Sequence, residues 1–317
     1  MDDAAARALA QRAAAVAGGG VKGDGGLVVV IGGSRAYAAP PFLAGLAARR
    51  TGVHGVRIAA PPGPAGQHTV LEAHLIEADG PELDAAAVRT VAEASARMHG
   101  RLVADGACGR VVWLVGPGLG GSPQAGQVLD ALVEARRQDR SAALVVDGSL
   151  GGGPAARRCI RALGADVVLL NRHEARALLP AGTGPVGGRG AGAGMSELAA
   201  LAQETGAVAV AKGDQDLITD GARAWQVPAG HPGLARHGTG DVLAGVAAGL
   251  LAQALAATDA AALACHLVGT AGAALAAGIG PGWLSRDLLD AVAVALRDLL
   301  AAPDGHRPAQ APWPAHL

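Results

Sequence analysis

The sequence predicts an α/β fold, in which a central, mostly parallel β-sheet is covered by helices on both faces. Three observations support this prediction. Short runs of valine, leucine and isoleucine alternate along the chain with segments that have helical spacing. Half of the 317 residues are apolar, which is enough to bury a sizeable core. Polar or glycine-rich residues follow nearly every apolar run, as they do at the ligand-binding edge of parallel sheets.

Six apolar runs are predicted to form the strands of the sheet. They lie at residues 27–31, 53–59, 111–115, 143–147, 166–170 and 208–211. Strands of a parallel sheet are buried on both faces, so they are continuously apolar instead of alternating between apolar and polar residues. The six runs have this character, and helical segments between most of them predict βαβ units.

Apolar residues at intervals of three and four predict the helices. Four of these helices separate strands and three follow the last strand, at residues 41–50, 83–98, 124–137, 154–163, 242–254, 260–277 and 285–300. The first 20 residues predict a further amphipathic helix and lack the apolar core of a signal peptide. No apolar run is expected to reach membrane-spanning length, because glycines and Gln253 interrupt the richest one.

A single domain is predicted over residues 1–302, followed by a flexible, proline-rich tail at residues 303–317. Within the domain, the glycine-rich segment at residues 181–194 is long for a loop. We interpret this segment as a surface insertion in preference to a lid.

The charge balance is nearly neutral, with 26 basic and 27 acidic side chains. It provides neither a basic surface for nucleic acid nor a cationic face for a membrane. The three cysteines are far apart and lack metal-ligand spacing, which indicates a reducing compartment and predicts a cytoplasmic protein. The sequence also lacks HExxH, CxxC, G-x-S-x-G and P-loop patterns. Its apolar surplus is compatible with a homo-oligomer.

The most informative stretch is Gly238-Thr239-Gly240-Asp241, directly in front of a long apolar helix pattern. The N–H groups and dipole of a helix N-terminus suit an anion, and small residues let a phosphate approach the backbone closely. A carboxylate beside a phosphate is unfavourable, so Asp241 has two interpretations. It is either an N-terminal cap or a base directed at a hydroxyl that attacks the phosphate.

Two loops that follow predicted strands are candidates for binding a ligand. The loop at residues 116–121 is dense in glycine, and Gly118 and Gly120 favour close approach of a ligand over a plain turn. Tyr37, the only tyrosine, either stacks on a flat ring or lies on the surface. We do not interpret the loop at residues 116–121 as the dinucleotide fingerprint, because a proline stands within it.

Weaker candidates lie at two further strand ends and before the glycine turn. Asn171 and Glu174 suit either a capping pair at a helix start or a carboxylate that holds Mg²⁺ near phosphates. Lys212-Gly213 offers either a solvated charge or a contact with a phosphate. Arg236 could neutralise a phosphoryl group, although an exposed arginine is the safer assignment.

Together these residues resemble the ribokinase-like superfamily, and within it the NAD(P)H-hydrate dehydratase family. The resembling segments are GGSRAYAAPPFLAGLAARRTG, VGPGLGGSP, VAVAKGDQDLITDG and GHPGLARHGTGDVLAGVAAGLLAQ, at residues 32–52, 115–123, 208–221 and 230–253. They occur in the family's order, and the likeness extends from about residue 27 to residue 300. The chain departs from the family at His231, where the family has asparagine, and after Asp147, where a second aspartate is missing.

The resemblance implies a nucleotide-dependent dehydration that repairs hydrated NADH or NADPH. The C6 hydroxyl would be phosphorylated and phosphate would then leave, with Mg²⁺ as cofactor and ADP preferred to ATP as donor. In that assignment Asp241 is the catalytic base, and Glu174 supports the metal. Three groups of contacts follow: the anion hole at Gly238, Thr239 and Gly240, the nucleotide at Lys212, Gly213, Asn171 and Glu174, and the substrate at Tyr37, Gly118, Gly120 and His231.

Two other functions are alternatives. A ribokinase-like kinase of a small vitamin-precursor alcohol would use the same base and anion hole but release a stable phosphorylated product. The GPGLG segment argues against this kinase. A nucleotide-binding protein without catalysis is disfavoured by Asp241, which follows a complete glycine turn.

Overall fold

The computed structural model describes residues 1–61, 73–77, 80, 82–148, 150, 153–179, 194–228 and 230–301. Nearly all of the predicted surface insertion and the whole predicted tail lie outside these residues. The division into one domain at residues 1–302 and a tail therefore stays a prediction.

The described strands are β1 (Leu27–Ile31), β2 (Gly55–Ala60), β3 (Ala73–Glu77), β4 (Val111–Val115), β5 (Ala143–Asp147), β6 (Val167–Leu170), β7 (Val208–Ala211), β8 (Gln215–Thr219) and β9 (Ala224–Pro228). They form one sheet in the spatial order β3-β2-β1-β4-β5-β6-β7-β8-β9. All pairs from β3 to β7 are parallel. The last two pairs, β7 with β8 and β8 with β9, are antiparallel.

The described helices are α1 (Asp3–Ala17), α2 (Pro40–Arg49), α3 (Ala85–Ala104), α4 (Ala125–Gln138), α5 (Gly153–Leu163), α6 (Arg172–Leu178), α7 (Met195–Thr205), α8 (Thr239–Ala252), α9 (Ala257–Gly278) and α10 (Asp287–Ala301). One face of the sheet packs against α1, α2, α8, α9 and α10. The other face packs against α3 to α7. Side chains of β1 alternate between these two cores, which is why this strand is apolar throughout.

The predicted sheet and its two covering layers are confirmed. Each of the six predicted strands is present within two residues of its expected bounds, and each predicted helix is present. Helix α3 extends six residues beyond its predicted end, and α8 begins three residues before its predicted start. Strands β3, β8 and β9 and helix α7 were not predicted.

Helix α9 corrects the prediction that no apolar run reaches membrane-spanning length. It has 22 residues and is apolar enough to cross a membrane by length and composition. In the structure 67% of its most apolar window is buried inside the protein, where it packs in the core with α8 and α10. Its composition is therefore explained by its place in the core.

Candidate active site

The carboxyl ends of the parallel strands place distant residues at one edge of the sheet. Strands β5, β6 and β7 are neighbours, and they end at or just before Asp147, Asn171 and Lys212. The N-terminus of α8 lies at the same edge, because a Cβ built on Gly240 would lie 3.2 Å from Nζ of Lys212. The structure thus brings the predicted nucleotide contact Lys212 to the predicted anion hole.

An ion pair between Asp147 and Lys212 lies at this edge. The distance from Oδ1 of Asp147 to Nζ of Lys212 is 3.1 Å, and the side chains are only 14% and 19% exposed. Burial alone would lower the pKa of Lys212, but the carboxylates of Asp147 and Glu174 raise it above its usual value. Lys212 therefore keeps its charge. The predicted site omitted Asp147, and the available signal was an aspartate at the end of an apolar strand.

Asn171 and Glu174 form a reciprocal cap at the start of α6. Oδ1 of Asn171 accepts hydrogen bonds from the N–H groups of His173 and Glu174, at 2.9 and 3.0 Å. Oε2 of Glu174 accepts one from the N–H of Asn171, at 2.7 Å. The capping interpretation is confirmed. The other oxygen, Oε1, faces the end of β5, since a Cβ built on Gly148 would lie 3.6 Å from it.

The electrostatic setting of Glu174 leaves open a role beyond the cap. Burial raises the pKa of Glu174, while the N–H of Asn171 and the charge of Lys212 lower it. The charge of Asp147 acts in the same direction as burial. A cation that approached these carboxylates would therefore be attracted by both.

Helix α8 begins with backbone N–H groups that no capping side chain satisfies. Gly238 is its N-cap, with a φ of 90° that favours glycine. Oγ1 of Thr239 donates to the carbonyl groups of Leu234 and Arg236, at 2.6 and 2.9 Å, so this hydroxyl secures the preceding turn. No side chain of the N-cap residue satisfies the first N–H groups of the helix. These donors are available to an anion.

Asp241 lies within the first turn of α8, whose N-cap is Gly238, so the cap interpretation of Asp241 is wrong. Burial raises the pKa of Asp241 to about 7. The charges of Asp147 and Glu174 also raise it, and the charge of Lys212 lowers it. A carboxyl group with this pKa can accept a proton near neutral pH, as a general base must.

Arg236 supports the turn before α8 and does not lie free in solvent. Its guanidinium donates to the carbonyl groups of Trp283 and Pro281, the latter at 2.8 Å. It also lies 4.5 Å from the centre of the Trp283 ring, within the range of a cation–π interaction. Ser285 completes the contact by donating from Oγ to the carbonyl of His237. Sequence patterns carry no signal for this contact, because the partners are about 50 residues apart.

The four predicted substrate residues have different surroundings. Tyr37 and Gly118 meet: a Cβ on Gly118, whose φ is 71°, would lie 2.6 Å from the carbonyl oxygen of Tyr37. Tyr37 is 59% exposed, so its ring is accessible to a ligand. A Cβ on Gly120 would have no atom within 4 Å. His231 is exposed, and its Nδ1 accepts from the N–H of Gly233 at 3.0 Å, within its own turn.

Gly213, which is predicted to contact the nucleotide, has its N–H engaged within the protein. Its N–H donates to Oδ1 of Asp216 at 3.1 Å, so this donor is already used within the protein. Asp216 is a buried carboxyl, only 7% exposed. No pattern in the sequence distinguishes it from a residue of an ordinary short strand.

The chemistry of the donor set fits Mg²⁺. Three carboxylates, those of Asp147, Glu174 and Asp241, influence the single ammonium of Lys212. Oxygen ligands suit this ion, which usually binds one or two carboxylates together with substrate phosphates. Among the described residues, no group of three or more His, Cys, Asp or Glu side chains is arranged to hold a metal ion. The described side chains would therefore hold only part of the ligand set of such an ion.

Comparisons with known proteins identify related sequences. A family model described as NAD(P)H-hydrate dehydratase matches residues 28–293. The chain is 32% identical over 271 residues to a bifunctional NAD(P)H-hydrate repair enzyme Nnr from Pyrobaculum aerophilum, which covers 85% of this chain and 50% of the relative. It is 30% identical over 281 residues to an ADP-dependent (S)-NAD(P)H-hydrate dehydratase from Natrialba magadii, covering 86% and 93%. The chain thus spans about half the length of the bifunctional relatives.

Solved structures show the same fold at low sequence identity. A ribokinase-like superfamily protein from Enterococcus faecalis has a TM-score of 0.64 and 22% identity, covering 88% of this chain and 89% of the other. An ADP/ATP-dependent NAD(P)H-hydrate dehydratase from Bacillus subtilis, co-crystallised with ATP/Mg²⁺, has a TM-score of 0.61 and 20% identity, covering 88% and 91%. These likenesses show that the fold is ribokinase-like.

Proposed function

Because the chain belongs to the NAD(P)H-hydrate dehydratase family, we propose that it restores NADH or NADPH from their hydrates, with ADP as phosphoryl donor. The observation that carries the proposal is Asp241, a partly buried carboxyl group in the first turn of α8 whose pKa is about 7. A base with this pKa can take the proton of a hydroxyl that attacks a phosphorus atom held at a helix N-terminus.

The proposed reaction has two steps. In the first, the oxygen of the C6 hydroxyl attacks the β-phosphorus of ADP, and AMP leaves as the bond to the bridging oxygen breaks. In the second, the C6–O bond breaks, phosphate leaves with the bonding electrons, and a proton leaves C5 to restore the ring double bond. Phosphate is a better leaving group than hydroxide, so the nucleotide supplies the driving force.

Each residue at the start of α8 has a proposed task in the first step. Asp241 accepts the hydroxyl proton as the new O–P bond forms. The N–H groups of Gly238, Thr239 and Gly240 donate to the phosphoryl oxygens, on which negative charge is distributed. Lys212 contacts a phosphate that is held at this turn. This arrangement supports the proposal because Lys212 is charged and lies beside Gly240.

Glu174 is proposed to support Mg²⁺ with its free oxygen Oε1, together with the nucleotide phosphates. When bound, the ion shares the negative charge of the phosphoryl group. Asn171 fixes Glu174 through their reciprocal cap, and so acts on the metal site indirectly. Gly213 acts on the nucleotide through the position of the turn, since its N–H is bonded to Asp216.

The hydrated nicotinamide is proposed to bind between the loops that carry Tyr37 and Gly118. The exposed ring of Tyr37 offers a surface for stacking, and the open space beside Gly120 admits the ligand. His231 is proposed as a further substrate contact through the ring nitrogen that does not accept from Gly233.

The choice of ADP is supported by the name of the Natrialba magadii relative, which is ADP-dependent. The Bacillus subtilis neighbour is named ADP/ATP-dependent, so ATP is the competing donor. Cytoplasmic location and self-association belong to the same proposal. The cysteine content of the sequence favours the first, and its apolar surplus is compatible with the second.

The test follows the near-ultraviolet absorbance of reduced nicotinamide. Purified protein is mixed with hydrated NADH or hydrated NADPH and Mg²⁺, and ADP, ATP or no nucleotide is added in parallel. We expect the absorbance to rise with ADP and to stay flat without nucleotide. Asp241→Asn should lower the rate by roughly 10²- to 10⁴-fold, the usual contribution of a general base. Asp130→Asn, which changes an exposed carboxylate on α4, is the matched control.

Two results would contradict the proposal. The first is an unchanged rate in Asp241→Asn, which would remove the base from the mechanism. The second is a flat absorbance with every nucleotide while ADP or ATP is consumed in the presence of a vitamin-precursor alcohol. That second result would establish the kinase alternative.

A further inference from the structure

Two buried polar side chains next to the Lys212 turn have no task in the proposed chemistry. Asp216 lies in β8 and is 7% exposed, and Cys265 lies in α9 and is 1% exposed. Strands β7 and β8 form an antiparallel hairpin, with Ala211 paired to Leu217. Lys212 and Asp216 are therefore the next positions along the two strands, at the closed end of this hairpin.

The carboxyl group of Asp216 is bonded to the turn after β7. Its Oδ1 accepts from the N–H of Gly213 at 3.1 Å. The thiol of Cys265 and the charge of Lys212 also lower the pKa of this carboxyl group. Burial raises the pKa of Asp216 to about 6, although these three partners lower it. Burying a carboxyl group is unfavourable unless hydrogen bonds compensate, so this arrangement needs a reason.

The contacts of the turn suggest that reason. The N–H of Lys212 donates to the carbonyl of Leu170 at 2.8 Å, which attaches the residue to β6. The next N–H, on Gly213, is held by Asp216. The long Lys212 side chain starts from these two fixed points and places Nζ 3.1 Å from Asp147. A lysine side chain loses considerable rotamer entropy when it is held in one place.

The composition of the chain gives a second argument. The 26 basic side chains include only two lysines, Lys22 and Lys212. Arginine, which supplies the rest, has a planar, forked head group, whereas lysine provides a compact point charge. A compact charge fits between Oδ1 of Asp147 and the backbone at Gly240. The position of the Lys212 ammonium group must therefore be closely fixed by its surroundings.

We propose that Asp216 is a positioning residue: through Gly213 it holds the turn after β7, so that Lys212 reaches the N-terminus of α8. The inference rests on one part of the proposed function, the contact between Lys212 and the phosphates of the nucleotide.

A different role for Asp216 would be to close the hairpin and stabilise the fold, without effect on Lys212. The two roles differ in their coupling to Lys212. A residue that acts through Lys212 has no further effect on nucleotide binding once Lys212 is gone, whereas effects on separate sites add.

The experiment is a double-mutant cycle read by calorimetric binding of Mg·ADP. Asp216→Val keeps a small side chain that suits a strand but removes the acceptor, and Asp216→Asn keeps the shape and an oxygen that can accept from Gly213. Each is measured alone and combined with Lys212→Ala. Thr219→Val is the matched control, because Thr219 is a buried residue of β8 whose Oγ1 bonds the turn at the opposite end of the strand.

We expect Asp216→Val and Lys212→Ala to weaken Mg·ADP binding by a similar factor, roughly 10- to 100-fold, as misplacement of a contact does. The double variant should bind no more weakly than Lys212→Ala. Asp216→Asn should retain most of the affinity, and Thr219→Val all of it. A crystal structure of Asp216→Val should show Nζ of Lys212 displaced from Asp147.

Three results would overturn the inference: wild-type affinity in Asp216→Val, additive losses in the double variant, or unchanged affinity in Lys212→Ala. If Asp216→Val does not fold, Asp216→Ala replaces it in the same cycle. The readout needs no hydrated substrate. A failure of the proposed dehydration therefore appears in the absorbance assay alone, while a failure of the positioning role appears in the cycle.

Discussion

The pKa of Asp241 is set largely by residues that are distant in sequence. Its place in the first turn of a helix would by itself favour the ionised carboxylate, since the N-terminal end of the helix dipole is positive. Burial and the charges of Asp147 and Glu174 overcome that preference and raise the pKa of Asp241 to about 7. Lys212 limits the rise. The result is a carboxyl group that changes protonation in the range where the proposed base must work.

The pH dependence of turnover follows from this pKa. The base is active when deprotonated, so kcat/KM should rise through pH 7 and fall about tenfold for each pH unit below it. Initial rates between pH 5.5 and 8.5, at low hydrate concentration and saturating Mg·ADP, measure this acidic limb of the pH profile.

Asp147→Asn is the companion variant for the pH profile. It removes a charge that raises the pKa of Asp241, so the acidic limb should move to lower pH. The exposed variant Asp130→Asn should leave the limb in place. An acidic limb that is unchanged in Asp147→Asn would contradict the assignment of this limb to Asp241.

Residue types at the site were predictable, but their environments were not. The Gly-Thr-Gly-Asp stretch identifies a helix N-terminus from the sequence alone. The pKa of Asp241, by contrast, depends on side chains from β5, α6 and the end of β7, which only the folded sheet brings together. Asp216 and Ser285 were missed for the same reason. Their partners are backbone groups of turns, and no side-chain pattern marks such contacts.

At the scale of elements, the glycines of α8 allow an unusually close approach to α2. A Cβ on Gly245 would overlap the carbonyl oxygen of Ala44 and lie 2.8 Å from Cβ of Ala47. One helical turn later, a Cβ on Gly249 would lie 3.0 Å from the carbonyl oxygen of Ala48. Helix α2 follows the loop that carries Tyr37, and α8 begins at the predicted anion hole. This contact therefore sets the distance between the two halves of the proposed site.

Gly245→Ala tests that packing. The added methyl group must displace one helix, and overpacking of this kind costs about 1–3 kcal/mol of unfolding free energy. Gly100→Ala is the matched control, since Gly100 lies in α3 with no atom within 4 Å of a built Cβ. There the better helix propensity of alanine should stabilise the protein by up to about 1 kcal/mol. Urea denaturation measures both, and equal stability of the two variants would disprove the close α2–α8 contact.

Strands and helices differ in how clearly their sequence pattern predicts them. The central strands are apolar on both faces and were all predicted. Strand β9 has only one fully buried residue and contains Gln226, so it lacks both an apolar run and a clear alternation. Strand β8 pairs antiparallel and begins with two polar residues, Gln215 and Asp216. Such strands at or near a sheet edge are held by their neighbours, and local sequence carries little of that information.

At the scale of the whole molecule, the charged half of the proposed site joins segments that span nearly 100 residues of sequence. The ends of β5 and β7 and the first turns of α6 and α8 each contribute one charged side chain: Asp147, Lys212, Glu174 and Asp241. With one ammonium and three carboxyl groups, the site carries mutual repulsion among its carboxylates, which a bound cation would relieve. Ligand binding should therefore stabilise the fold as a unit.

Thermal unfolding with nucleotide measures this coupling. A ligand that binds only the folded state adds about 2.7 kcal/mol of stability at 100 times its Kd, so Mg·ADP should raise Tm progressively with concentration. Lys212→Met should lose most of this rise in Tm, because the variant lacks the charge beside the predicted anion hole. Lys22→Met, which changes the other, exposed lysine, should keep the full shift. Equal Tm shifts in both variants would mean that the nucleotide binds away from β7 and α8. Lys212 would then form a purely structural ion pair with Asp147.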